Sequence, residues 1–517
     1  KYPDGEDRMA CRDLCNYVQS QVVNDIRERY EPEWARREIW DRSYSEARTS
    51  KVPGMILELL SHQNFADMKY GLDPAFRFDV SRAVYKGVLK FLSDRDGWPY
   101  EVQPLPVPNF ASVLTNNGVT LSWAPTNDPI EPTAVSRGFI LYTRIDDGAF
   151  DDGRIIDARE AGGRYKAEVS MDPGHIYSFR IPAFNDGGVS FPSETLSAGI
   201  PESPVSGDKV MIVNNFSRVS APAWFDTPDY AGFDYALDSG VPYMYDISYI
   251  GQQYQFRREL EWIDDDNPGF GGSYTDEAGL QAAGNTFDYP YVHGKAVMAR
   301  GYAFSSMGSD AFANDSALAS GYWSMDVICG KQVTTSMGRG AVEDRYQVFP
   351  APLQKAISDY TAKGGNILIS GSNIGTDVWD QIYPAVHKDA SYVSRTKRFV
   401  EDVLGYRWLT NYASRSGMLW VMRTKQMNTD AVTARFAFHN RPNEEVYCVE
   451  TPDGIVPADK DGSTFLRYTD TNISAAVCCD KKTYRAISFG FPLETLKDEE
   501  DIEKLIGISM DWFKERK

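Results

Sequence analysis

Apolar residues return every three or four positions from Met9 to Tyr30: Cys11, Leu14, Cys15, Val18, Val22 and Ile26 draw one stripe, with Arg, Asp, Asn and Gln opposite. That period predicts an amphipathic helix. Glu31-Pro32 ends it, because the residue before a proline is pushed out of the helical region. An Arg-rich stretch with Trp34, Trp40 and Tyr44 follows, and then the pattern changes. Met55, Ile56, Leu57, Leu59 and Leu60 form an almost unbroken apolar run behind Pro53-Gly54, which predicts a strand covered on both faces. Asn64 and Asp67 are placed to cap the turn that follows. Pro74 then opens a helix on which Val80, Val84, Val88 and Leu92 recur at helical spacing.

Past Gly97-Trp98-Pro99 the pattern shifts again. Pro104, Pro106 and Pro108 read as a stiff linker. From Phe110 to Gly199 short alternating runs are broken by turn pairs such as Asn117-Gly118, Asp147-Gly148 and Asp152-Gly153, which predicts an all-β unit. Val119–Trp123 is a sandwich strand with a core tryptophan, and His175 falls in a turn ahead of another strand. A second linker at Pro201–Pro204 introduces the largest region. There, apolar runs at 209–215, 326–330, 366–371 and 486–492 alternate with helical patterns, the last over Ile502–Phe513. Such alternation predicts an α/β fold built on a parallel sheet.

The chain's 517 residues exceed what one core accommodates, so two to four domains are expected. The boundaries drawn from pattern are 1–101, 102–203 and 204–517. A net charge of −19 argues against nucleic acid and anionic membrane surfaces as partners, since both call for basic patches. No apolar run approaches the roughly 18 residues needed to span a bilayer. Lys1 reads as the start of a processed or cut form whose targeting signal has been lost. Six cysteines in this length make no disulfide framework. Cys11 and Cys15 share a helix face, as a metal pair or as core residues; Cys329, Cys448, Cys478 and Cys479 read as core.

Glu58 is the position that invites chemistry. A carboxylate inside an apolar strand is costly unless it is paired, hydrogen-bonded or turned to a site. An arginine at 36, 37, 42 or 48 supplies one partner, and a functional cleft is the other reading. The order Pro53, Glu58, Asn64, Asp67, closing helix resembles the C-terminal half of zinc-dependent N-acetylmuramoyl-L-alanine amidases over about the first hundred residues. The resemblance implies that Glu58 is catalytic, with His62 and Asn64 as accessory residues. His62 stands where that family usually has no histidine. The resemblance also implies zinc in the complete parent protein and none in this chain, because the family's ligands precede the matched part. The five histidines show no metal-ligand spacing.

The run Pro173–Ile181, with Ala183, Asn185, Gly188 and Pro192–Glu194 after it, resembles a fibronectin type III module, which implies a spacer. The strand order of the last region resembles the class I glutamine-amidotransferase-like fold. Its elbow, expected after 366–370, carries Gly371-Ser372-Asn373-Ile374-Gly375 and no cysteine, and Phe489-Gly490-Phe491 replaces a Gly-His pair, so this domain is expected to be inert or ligand-binding. Asp264–Asn267 lacks the ligand spacing of a calcium loop and reads, with the glycines at 269–272, as a solvated acidic loop. The fold class expected is therefore multidomain, α/β plus all-β: a partial amidase-like domain, a fibronectin-like sandwich and a doubly wound α/β domain. The function expected is a secreted or periplasmic bacterial cell-wall hydrolase acting on peptidoglycan, present as a fragment. The alternative is a non-catalytic glycan-binding or scaffold protein, of a layout often labelled xanthan lyase although it shares nothing with the helical toroid of true polysaccharide lyases.

Overall fold

The computed structural model describes residues 8–247, 253–259, 272–273, 279–338, 341–380, 390–424, 426–427, 429 and 435–515. The acidic run 264–267, the glycines at 269–271 and His387 lie outside these residues.

The N-terminal periodicity becomes helix α1 (Met9–Arg29), followed by α2 (Phe65–Gly71) and α3 (Pro74–Asp96). Asp73 caps α3 by accepting from the Ala75 amide at 2.9 Å, Pro74 fits its first turn, and Gly97 closes it at φ 72°. Leu14, Val18, Val22 and Ile26 of α1 pack with Phe76, Val80, Ala83 and Phe91 of α3. The two helices approach most closely at Gly87, where a Cβ would stand 2.6 Å from the Val18 Cα.

The run Met55–Leu60 departs from its expectation. It is extended but pairs with no strand among the described residues, and Ile56 and Leu57 are 42% and 37% exposed. The reason is that its apolar groups are absorbed by helices: Met55, Leu59 and Leu60 lean on the α1–α3 core.

Two antiparallel sheets form the middle of the chain. One joins β1 (Ala111–Leu114), β2 (Gly118–Trp123) and β4 (Arg164–Ser170); the other joins β3 (Gly138–Ile145), β5 (Ile176–Arg180) and β6 (Leu196–Gly199). Trp123, Leu121, Leu141 and Phe179 are fully buried between them. The proline segment before β1 is no free linker. Val102, Pro104 and Val107 are buried, and the Val102 carbonyl accepts from Asn185 Nδ2 at 2.8 Å.

The last region builds a parallel sheet from β7 (Lys209–Asn214), β8 (Ala303–Gly308), β9 (Ser324–Gly330), β10 (Asn366–Gly371) and β12 (Arg485–Phe489), with β11 (Ser474–Asp480) antiparallel beside β12. Across the sheet the parallel strands run β8-β7-β9-β10-β12, so the order reverses between β7 and β9. Helices cover both faces. Val210 and Ile212 of β7 share a core with α4 (Tyr289–Ala299) and α6 (Glu499–Lys514), while Met211 and Val213 share one with α5 (Ala351–Ala362). Alternate side chains of one strand thus serve two cores.

The three groups of elements are fastened to one another. β1 and β6 both reach the edge strand β8, at Ala111↔Met307 and Gly199↔Phe304. The helices meet the sandwich through buried ion pairs. Arg82 and Arg29 converge on Asp128 at 3.0 and 3.2 Å, and Lys86 sits 2.8 Å from Asp25 and 3.8 Å from Glu131. The helices also meet the parallel sheet's loops: Met337 joins the α1–α3 core, and Gly338 lies against the Tyr70 ring. The middle unit is thus packed on both sides.

Candidate functional site

In open α/β sheets, ligands bind beyond the carboxyl ends of the strands, at the point where strand order reverses. Here that point lies over the ends of β7 and β9. The chain leaves β7 as Asn215-Phe216-Ser217-Arg218 and β9 as Lys331-Gln332-Val333-Thr334. Gln332 binds the two exits together, its side-chain oxygen accepting from the Ser217 and Arg218 amides at 3.1 and 3.0 Å.

Above these exits four buried charges neutralise one another. Arg218 Nη2 donates to Asp238 Oδ2, Lys331 Nζ lies 2.8 Å from Asp238 Oδ1, and the same ammonium lies 2.7 Å from Glu450 Oε2. Burial alone would push the Asp238 carboxyl up, but the two cations beside it hold it well below the usual range. Burial likewise works against the Lys331 ammonium, and its two carboxylates reverse that and hold it charged. Each charge has an opposite, so the quartet is a stable floor and offers no free acid or base.

Beside this floor is a cavity of about 60 Å³. Arg218, Ser220, Trp224 and Thr334 line it from the α/β side, and Lys69 and Asp73 line it from α2 and the cap of α3. The helical unit therefore forms one wall. Burial pushes the Asp73 carboxyl up to about 6, against the pull of the Ala75 amide and Arg345.

Glu58, His62 and Asn64, singled out from sequence, lie on the helical unit. Glu58 and His62 are both exposed. Asn64 is buried and caps α2, its Oδ1 accepting from the Asp67 amide at 3.2 Å, while Asp67 reaches back to the Ser61 amide at 2.8 Å. Among the described residues no three His, Cys, Asp or Glu side chains stand together as a metal site. Glu58 and His62 do not make a zinc donor set.

The expected elbow after β10 is committed to structure. Ser372 is buried, donates to the Gly330 carbonyl at 3.3 Å and accepts from Asn373 at 2.9 Å. Asp453 holds the next turn, accepting from the Gly375 amide at 2.6 Å and from Thr376. Sequence reasoning missed a sharper feature: β9, the middle parallel strand, ends in Cys329-Gly330, with Gly330 at φ 48°. The Cys-Gly pair closing an apolar run was the available signal. Burial pushes the Cys329 thiol up to about 12, so it is not poised as a nucleophile.

No family model matches this chain, and neither does any curated protein. Several solved structures are locally similar. They include the Br derivative of BhCBM56 (18% identity, 17% of this chain and 90% of that one, TM-score 0.14). A myokine structure is similar at 19% identity, over 19% of this chain and all of that one, with a TM-score of 0.16. A human fourth FNIII domain is similar at 22% identity, over 20% of this chain and 87% of that one, also with a TM-score of 0.16.

Proposed function

We propose that this chain is a non-catalytic binding part of a secreted protein that processes cell-wall or other surface polysaccharide. One observation carries the reading: a shielded cavity stands at the strand-order reversal, over charges that are fully matched. The parallel order β8-β7-β9-β10-β12 supports a doubly wound domain of the flavodoxin or glutamine-amidotransferase-like kind. The pairing of β1-β2-β4 against β3-β5-β6 supports a sandwich of the fibronectin type III kind. The high-lying Cys329 thiol and the committed Ser372 hydroxyl speak for binding over amide hydrolysis in the α/β part. A second reading keeps the amidase. The Asn64–Asp67 cap is formed, Glu58 precedes it in the sequence, and on this reading the zinc ligands would lie elsewhere in a longer parent.

Co-sedimentation separates the two. Mixed with insoluble peptidoglycan, the purified chain is expected to sediment with it and to release no peptide, with or without added zinc. Release of L-alanine-terminated peptides would favour the amidase reading. A chain that stays in the supernatant would remove the peptidoglycan partner.

A further inference from the structure

Ser220 and Thr334 are 4% and 2% exposed, and both line the cavity over the strand-order reversal. Among the described residues no protein group hydrogen-bonds either hydroxyl. Buried hydroxyls are ordinarily paired, and leaving one unpaired is costly. Two on the same cavity mark where a guest, water or ligand, supplies what the protein does not.

The surrounding charges restrict what that ligand is. Arg218 is already engaged by Asp238, by the Lys331 carbonyl at 3.1 Å and by the Thr335 hydroxyl at 3.1 Å. Asp238 is engaged by Lys331 in turn. The Lys69 ammonium lies 3.9 Å from the centre of the Trp224 ring, a cation–π contact. An anion entering here would have to compete with Asp238 for Arg218, and it would face the Asp73 carboxyl on the other wall. A hydroxyl group would not: it is neutral, and it donates and accepts just as Ser220 and Thr334 do. Asp73 adds an acceptor from the opposite wall, and Trp224 and Phe233 add apolar lining.

We propose that the cavity is a subsite for one neutral, hydroxyl-rich unit, the terminal ring of a glycan, read by Ser220 and Thr334. The proposal rests on the binding reading given above and adds the ligand class. A cavity of about 60 Å³ takes only part of one ring. Because Lys69 and Asp73 form the far wall, the ring is held between the helical unit and the α/β sheet.

Isothermal titration of the whole chain tests this with glucose and N-acetylglucosamine as neutral probes and with glycine and inorganic phosphate as charged ones. At least one neutral probe is expected to bind saturably, and neither charged probe is. Ser220→Ala with Thr334→Val is expected to weaken binding at least tenfold, and Thr334→Ser alone to leave it within about threefold. If the double variant loses its thermal transition, Ala223→Leu, which narrows the cavity, replaces it with the same expected loss. Binding of a charged probe alone, abolished by Ala223→Leu, overturns the ligand class and leaves the cavity as a binding site. Sugar binding that no variant changes overturns the subsite and leaves the binding reading beneath it standing. Failure of every probe to bind overturns the subsite.

Discussion

His293 has no exposed surface and stands between two carboxylates. Its Nδ1 is 2.7 Å from Asp326 Oδ2, its Nε2 is 3.2 Å from Glu494 Oε2, and the Tyr447 hydroxyl donates to the other Glu494 oxygen at 2.7 Å. Burial alone would push the imidazole down, but Asp326 and then Glu494 outweigh it and raise it to about 10. A group raised on folding contributes its full stability below its unfolded value of about 6.5 and loses it as pH climbs through the folded value. Stability is therefore expected to fall between about pH 6.5 and 10, and His293→Gln is expected to flatten that slope. The substitution leaves two buried carboxylates without their cation, at a cost of about 3–5 kcal/mol. Urea titrations of both proteins across this range check it; parallel profiles would show that the histidine is neutral in the folded state. This network was not legible in the sequence, because its members lie 33 and 201 positions apart. Asn64 was legible, since a cap is written within four consecutive residues. Arg218 and Lys331 left only a faint trace, as the first cations after two apolar strands.

Among elements, α1 and α3 were readable because their apolar residues recur along the stripe by which the two helices pack together. β7, β9, β10 and β12 were readable because their apolar runs are short and bounded. β8 was not. Ser305 and Ser306 interrupt its pattern, yet both are fully buried, with Ser305 Oγ 2.7 Å from the Tyr322 hydroxyl and Ser306 Oγ donating to the Ser197 carbonyl at 2.8 Å. Met55–Leu60 erred the other way, its composition being that of a strand while helices took up its apolar groups. The α1–α3 contact makes its own prediction. In Gly87→Ala the new methyl meets the Val18 Cα at 2.6 Å and the Tyr17 carbonyl at 3.1 Å, and backbone atoms have nowhere to go. Overpacking of this kind costs about 1–3 kcal/mol, against about 1 kcal/mol gained in helix propensity. A net loss of stability is expected in urea unfolding. A higher midpoint would show that the two helices separate freely.

The molecule as a whole is joined more firmly than its linkers suggested. Asp128, fully buried, receives Arg82 and Arg29 where the helices meet the sandwich. Asp128→Ala leaves Arg82 buried without its anion, and about 3–5 kcal/mol is expected to be lost at that junction. Limited proteolysis should then cut residues 97–110 faster than in the native chain; an unchanged cutting rate would place the strength of the junction elsewhere. The other junction has a different consequence. An outermost strand presents a row of unpaired amides and carbonyls, an open template on which a second copy of the same protein can add its own strand. β8 would be such a strand, but β1 and β6 lie across it at Ala111↔Met307 and Gly199↔Phe304. The sandwich therefore acts as a guard against self-association. A truncated chain starting near residue 204 would retain every parallel strand and lose that guard, exposing a sticky border that β1 and β6 cover in the intact protein.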